Sequence, residues 1–137
     1  MRIIVVAVGR VRPPYLDDVH HYEKLLGRYA RLELVEVRED EQVARRVPDR
    51  AFVSLLDIGG QELDSIGFSR FLEERRQSGL NLCFVIGGPF GSELDADRAD
   101  HRFSLGRVTL PHQLARVVLL EQIYRAHKIL AGEPYHY

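Results

Sequence analysis

The sequence predicts an open α/β protein built on a mostly parallel sheet, and three observations carry that prediction. Five short apolar segments alternate with segments of helical periodicity. The first of them, IIVVAV (Ile3 to Val8), is apolar at every position, as a strand buried on both faces requires. No repeat, low-complexity tract or Gly/Ser linker interrupts the 137 residues, so residues 1–137 are read as one domain with one core.

Taken in order, Arg2 to Val8 is the first strand. Asp17 to Tyr29 reads as a helix, with Val19, Tyr22, Leu25, Leu26 and Tyr29 at three- and four-residue spacing. Leu32 to Val37 is the second strand, and Glu39 to Arg46 a short helix ended by Pro48. Ala51 to Ile58 is the third strand. Asp64 can cap the helix that carries Ile66, Phe68, Phe71 and Leu72. Leu80 or Asn81 to Ile86 is the fourth strand, with a short helix after it near Glu93 to Asp100. Phe103 to Leu110 is the fifth strand, and Pro111 to about Ala131 the closing helix. Apolar residues surround nearly the whole axis of that last helix (Leu114, Val117, Val118, Leu119, Leu120, Ile123, Tyr124, Ile129, Leu130). A helix on a small sheet needs only one apolar stripe, so a second subunit is expected to cover the rest, and a homodimer is favoured.

Composition narrows the function classes. The apolar run at the start is too short to span a bilayer, and no small-residue cleavage site follows it. A single cysteine, Cys83, excludes an internal disulfide and fits a reducing, cytoplasmic setting. Cys83 lies mid-strand and reads as a small buried hydrophobe. No CxxC, HxxxH or HExxH spacing is present, so no metal is expected. The net charge of −1 argues against a general nucleic-acid coat, yet it conceals an asymmetry. Residues 98–137 hold six Arg or Lys against three acids, and they include four of the six histidines. A basic end can meet a phosphate backbone that the average charge would not predict.

In open parallel sheets, ligands bind beyond the carboxyl ends of the strands. Three loops leave such ends with unusual chemistry: LDIGGQ (Leu56 to Gln61), IGGPFGSE (Ile86 to Glu93) and LGRVTLPH (Leu105 to His112). GGPFG is a poor dinucleotide fingerprint, because it follows the fourth strand rather than the first and Pro89 has no N–H to offer. A glycine pair there still lets a flat ligand approach the backbone. Arg116 has Leu119, Leu120 and Ile123 at helical spacing, so its stem is expected to be buried and its guanidinium to need a partner, in the fold or in a substrate.

The segments FVIGGPFG, FSLGRVTLPHQLARVVLLEQIYRAHKIL and GEPYHY, with RIIVVAVGR and SLLDIGGQ before them, strongly resemble the ribosomal RNA large-subunit methyltransferase H family (RlmH), of the SPOUT class. The resemblance covers most of the chain. It implies a C-terminal trefoil knot within a homodimeric α/β fold, S-adenosylmethionine as methyl donor, and methylation at N3 of a pseudouridine in 23S rRNA of the assembled ribosome, with no part for DNA or membrane. Carried over by position, it places the cofactor against Leu56, Gly87, Gly88, Leu105, Gly106, Arg107, Val108, Thr109, Leu110 and Pro111. The acceptor nitrogen must lose a proton, for which His112 and His136 are candidate bases. Arg116 and Arg125 are candidates for stabilising the developing anion or holding phosphate. Tyr135 and His136 are expected to reach the acceptor site, in the other subunit.

Two features depart from the family pattern. REDEQVARRVPDRAF stands where relatives carry a longer, Lys- and Gly-rich stretch; it is not net basic, so the grip on RNA is expected to fall to Arg107, Arg116 and Arg125, and the chain ends YHY without a terminal basic residue. Two other readings compete. A Rossmann-like oxidoreductase would set Glu36 or Glu39 on a ribose, and a non-catalytic ribosome-associated factor would use only the basic end.

Overall fold

The computed structural model describes residues 1–87 and 98–135. The chain runs β1 (Arg2–Val8), α1 (Leu16–Leu26), β2 (Arg31–Val37), a 3-10 turn (Asp40–Gln42) leading into α2 (Val43–Arg46), β3 (Phe52–Glu62), α3 (Ser65–Ser78), β4 (Leu82–Ile86), β5 (His101–Ser104) and α4 (His112–Leu130). The strands form one sheet in the order β2-β1-β4-β3-β5, with every neighbouring pair parallel. All their carboxyl ends therefore lie along one edge.

Alternation along the central strands sends side chains to two cores. Ile3, Val5 and Ala7 of β1 join Leu82, Phe84 and Ile86 of β4 beneath α1, α3 and α4. Ile4, Val6 and Val8 join Cys83 and Val85 on the other face, where Val43, Val47 and Ala51 of the short β2–β3 connection cover them. Burial pushes the Cys83 thiol up to about 12, which leaves it inert at neutral pH. Asp64 caps α3 as its position suggested: its Oδ1 accepts from the Gly67 amide at 2.7 Å.

The expected strand from Phe103 to Leu110 is corrected: β5 ends at Ser104, and residues 105–111 form a loop. Gly106 takes φ +127°, a conformation that breaks the ladder. The Ser104 hydroxyl closes the turn, donating to the Gly106 carbonyl at 2.7 Å and accepting from its amide at 3.1 Å. The first helix is also shorter than expected and stops at Leu26. The helix expected near Glu93 to Asp100 falls mainly outside the described residues.

The last helix is largely covered within one chain. It packs against α1 and α3 and buries Ala115, Arg116, Leu119, Leu120, Ile123, Tyr124 and Ala126. Leu114, Val117 and Val118 stay half-buried and Leu130 is exposed. Among the described residues no helix is long and apolar enough to cross a membrane.

His101 and His127 give the fold a pH dependence. Burial holds both imidazoles below their ordinary range. His101 stacks on Phe71 at 4.7 Å, and the Nδ1 of His127 pairs with the Ile123 carbonyl at 2.9 Å. The unfolded chain then binds protons more readily than the native one, so this contribution to stability is complete above the unfolded pKa of about 6.5 and is lost as pH falls from there through the lower folded values. The urea midpoint is expected to drop between pH 7.5 and 5.5, and the slope to flatten in His127→Gln. A midpoint that rises on acidification contradicts this reading.

Candidate active site

Two of the three carboxyl-end loops wall one cavity of about 230 Å³. Leu56, Asp57 and Ile58 come from β3, Ser104 from the end of β5, Leu105, Gly106, Thr109 and Leu110 from the loop after it, and Ala115 from the first turn of α4. A second cavity of about 320 Å³ shares Ser104 and Leu105 and runs along α4 to Val118 and Gln122.

The β3 side of the wall is an excursion within the strand. Leu56 and Gln61 both stand opposite Phe103, so the residues between them bulge out of the ladder. The Asp57 carboxylate fixes the bulge, accepting from the Gly59 amide and from the Arg102 guanidinium, each at 3.0 Å. Gly60 lies so close to the Arg102 and Phe103 backbone that a Cβ would sit 2.6 Å from the Phe103 nitrogen. Only glycine permits this contact.

Of the residues expected at a cofactor, Leu56, Leu105, Gly106, Thr109 and Leu110 line the cavity. Arg107, Val108 and Pro111 are exposed and do not line it, with Val108 at 70% exposure. Gly87 follows β4 directly and is half-buried, while Gly88 lies outside the described residues. Asp57 and Ser104 also belong to the wall, and sequence reasoning missed both. The signal for Asp57 was present, since it stands inside a loop already singled out, beside Leu56.

The residues expected to do chemistry fall into two groups. His112 and Arg116 occupy the first turns of α4. The position of the His112 Nε2 is beside Gly9, and the ring does not line the cavity. Arg116 is only 2% exposed. It donates to Glu36 Oε2 at 2.6 Å and to the Gly9 carbonyl at 2.9 Å, while its Nε has no partner among the described residues. Glu36 also accepts from the Val11 amide at 2.7 Å, and Gln113 clasps the same loop through the Arg12 amide and the Arg10 carbonyl. These bonds tie the start of α4 to the ends of β1 and β2.

The second group sits near the other end of α4. Arg125 pairs with Glu121 at 2.8 Å, and this bond raises the Arg125 pKa. Tyr135 folds back so that its hydroxyl donates to the same carboxylate at 3.0 Å. Its ring lies 4.7 Å from the Arg125 guanidinium and packs edge-on to Tyr124 at 5.0 Å. Burial, then the bond to Glu121, pushes the Tyr135 pKa upward, so the phenol stays protonated. His136 lies outside the described residues. Ten residues of helix separate Ala115 from Arg125, about 15 Å at 1.5 Å per residue. Arg125 and Tyr135 therefore do not line the loop-walled cavity.

A larger cavity, about 480 Å³, opens between α1, the ends of β1 and β2, and Arg116. Its size exceeds that of the loop-walled cavity, and Arg10, His20 and Glu23 line it beside the paired Glu36 and Arg116; the candidate site is placed at the loops because two of the three carboxyl-end loops meet there. Among the described residues no cluster of three His, Cys, Asp or Glu side chains is placed to hold a metal.

Comparison with known proteins gives the family. A family model described as a predicted SPOUT methyltransferase matches residues 1–136. Ribosomal RNA large subunit methyltransferase H of Carboxydothermus hydrogenoformans is 40% identical over 158 aligned positions that cover 99% of each chain. The proteins of the same name from Ruminiclostridium cellulolyticum and Enterococcus faecalis are 39% and 38% identical at the same coverage. Those 158 positions face 137 residues here, so at least 21 have no counterpart in this chain.

Proposed function

We propose that this chain, which belongs to the SPOUT methyltransferase family and within it to the ribosomal RNA large-subunit methyltransferase H enzymes, transfers a methyl group from S-adenosylmethionine to N3 of a pseudouridine in 23S rRNA. The substrate is the assembled ribosome, the active unit is a cytoplasmic homodimer, and residues 1–137 are one domain closed by a trefoil knot. The observation that carries the reading is the cavity walled by the β3 bulge and the loop after β5.

The cavity fits the donor's chemistry. Leu56, Ile58, Leu105, Leu110 and Ala115 offer an apolar wall for a purine, the loop around Gly106 offers backbone groups to its polar edge, and Asp57 offers a carboxylate to a sugar diol. Gly87, Gly88, Arg107, Val108, Thr109 and Pro111 complete that binding surface in this proposal. When bound, the donor supplies an electrophilic methyl carbon on sulfur, and no metal is required.

The protein's own part is alignment and management of one proton. Orientation of two reactants can lower a barrier by about 7–11 kcal/mol. We assign removal of the N3 proton to His136, next in sequence to Tyr135, with His112 as the second candidate. Arg125, held flat by Glu121 and the Tyr135 ring, stabilises the developing anion. Arg116 positions the start of α4. The separation of about 15 Å along α4 is the reason a dimer is needed: the cavity of one subunit receives the tail of the other.

The oxidoreductase reading loses support here. Glu36 is engaged with Arg116, and Glu39 forms a capping box with Gln42. The deciding experiment is labelled methyl incorporation into ribosomes from a strain lacking this protein, followed by mapping of the modified base. Incorporation at one pseudouridine is expected. Ribosome binding without incorporation would establish the non-catalytic factor instead.

A further inference from the structure

The connection from β2 to β3 has no excess of basic residues, yet its charges are sorted in space. Arg38 at the end of β2 and Arg45 and Arg46 at the end of α2 line one groove of about 330 Å³, with Gln42 beside them. All three arginines are exposed, and among the described residues none of them forms an ion pair. Two acids of this connection, Glu36, which lines the same groove, and Glu39, have other partners. Glu36 is bound to Arg116 and to the Val11 amide, and Glu39 caps the turn through Gln42.

Two further arginines follow β1 at the same sheet edge. The Gly9 amide donates to the Val37 carbonyl at 2.7 Å, which joins the end of β1 to the end of β2. Arg10 and Arg12 follow Gly9, are exposed, and also form no ion pair among the described residues. Gln113 pins their backbone to the first turn of α4, the turn that carries Ala115 into the loop-walled cavity. Five arginines therefore border the carboxyl edge from β2 to the start of α4. Two strand spacings, about 10 Å, separate β2 from β4 at that edge.

We propose that Arg38, Arg45 and Arg46, with Arg10 and Arg12, form a track for the RNA phosphate backbone that leads the substrate strand to the site. The inference rests on the methyltransferase reading and adds to it where the RNA lies. Guanidinium forks grip phosphates in pairs of hydrogen bonds and read no sequence, so the track sets affinity and register. Each neutralised phosphate releases counterions, which makes the contact visible as salt dependence.

The test uses the full-length protein with Arg38→Gln, Arg45→Gln and Arg46→Gln combined. Its affinity is measured for large ribosomal subunits lacking the modification, and for a mixed-sequence single-stranded RNA, at several salt concentrations. The slope of log affinity against log salt is expected to flatten by about two units, at 0.7–0.9 per phosphate contact. Affinity at low salt is expected to fall tenfold or more, with S-adenosylmethionine binding and melting temperature unchanged. A control, Arg28→Gln with Arg31→Gln, removes exposed charge at the opposite edge and is expected to change the slope by less than one unit. An unchanged slope in the triple variant, or an equal change in the control, overturns the track. Failure of the underlying reading looks different, because the wild-type protein would then incorporate no methyl group into those subunits.

Discussion

A chain that lacks residues 134–137 binds S-adenosylmethionine with unchanged affinity and no longer methylates ribosomes. The prediction follows from the separation of the two clusters along α4. The loop-walled cavity uses nothing beyond Ala115, so truncation leaves the donor site whole. It removes Tyr135, which holds the Arg125–Glu121 pair from above, and His136, the assigned base. Loss of a positioned base costs about 10²–10⁴-fold in rate. Stability changes little by comparison, since one ring contact and one hydrogen bond contribute about 1–2 kcal/mol together. Point variants divide the effect. His136→Ala should reproduce most of the rate loss, whereas Tyr135→Phe keeps the ring over Arg125 and should cost less than tenfold. Normal turnover by the truncated chain would sink the assignment. Mixed dimers extend the test: a truncated subunit with an intact cavity, paired with a full-length subunit whose cavity is blocked, should regain activity if the tail acts across subunits.

The strands were legible because their signal is local. Ile3 to Val8 announces a strand buried on both faces, and Asp64 announces a helix start, without help from the rest of the chain. The end of β5 was not legible, because Phe103 to Leu110 has a strand's composition and only the Ser104–Gly106 turn stops it. The cavity was half legible. Loops with unusual glycine content could be named, but the β3 bulge that carries Asp57 into the wall depends on two residues sharing one partner in β5. The arginine groove was hidden for a different reason. Net charge counts residues 36–50 as nearly balanced, while function depends on where those charges point. Arg116 shows the same limit: its burial could be read from helical spacing, but its partner stands 80 residues earlier in the chain.

That pairing gives the largest expected effect on stability, and its size depends on which partner is removed. Arg116 has a side chain 3% exposed, whereas Glu36 is 38% exposed. Glu36→Ala leaves a buried guanidinium with the Gly9 carbonyl as its remaining partner and an Nε that already has none. Breaking a buried pair this way costs about 3–5 kcal/mol, and the low end applies because water reaches the Glu36 side. For a domain of this size that is a fall of roughly 10 °C in melting temperature. Arg116→Met removes the buried charge, keeps most of the volume, and leaves a carboxylate that water can solvate; it should cost about 1 kcal/mol or less. The double variant should then be more stable than Glu36→Ala alone, by about 1–3 kcal/mol. The same proteins decide what Arg116 does in the reaction. A residue that positions α4 through Glu36 and Gly9 lets Arg116→Met keep its rate within tenfold at temperatures where it is folded, with the loss in the donor's KM. A residue that touches the reacting base would show a loss of a hundredfold or more in kcat with donor binding intact. Arg116→Met melting as low as Glu36→Ala would refute the energetic asymmetry, and a selective loss of kcat would return Arg116 to the acceptor site.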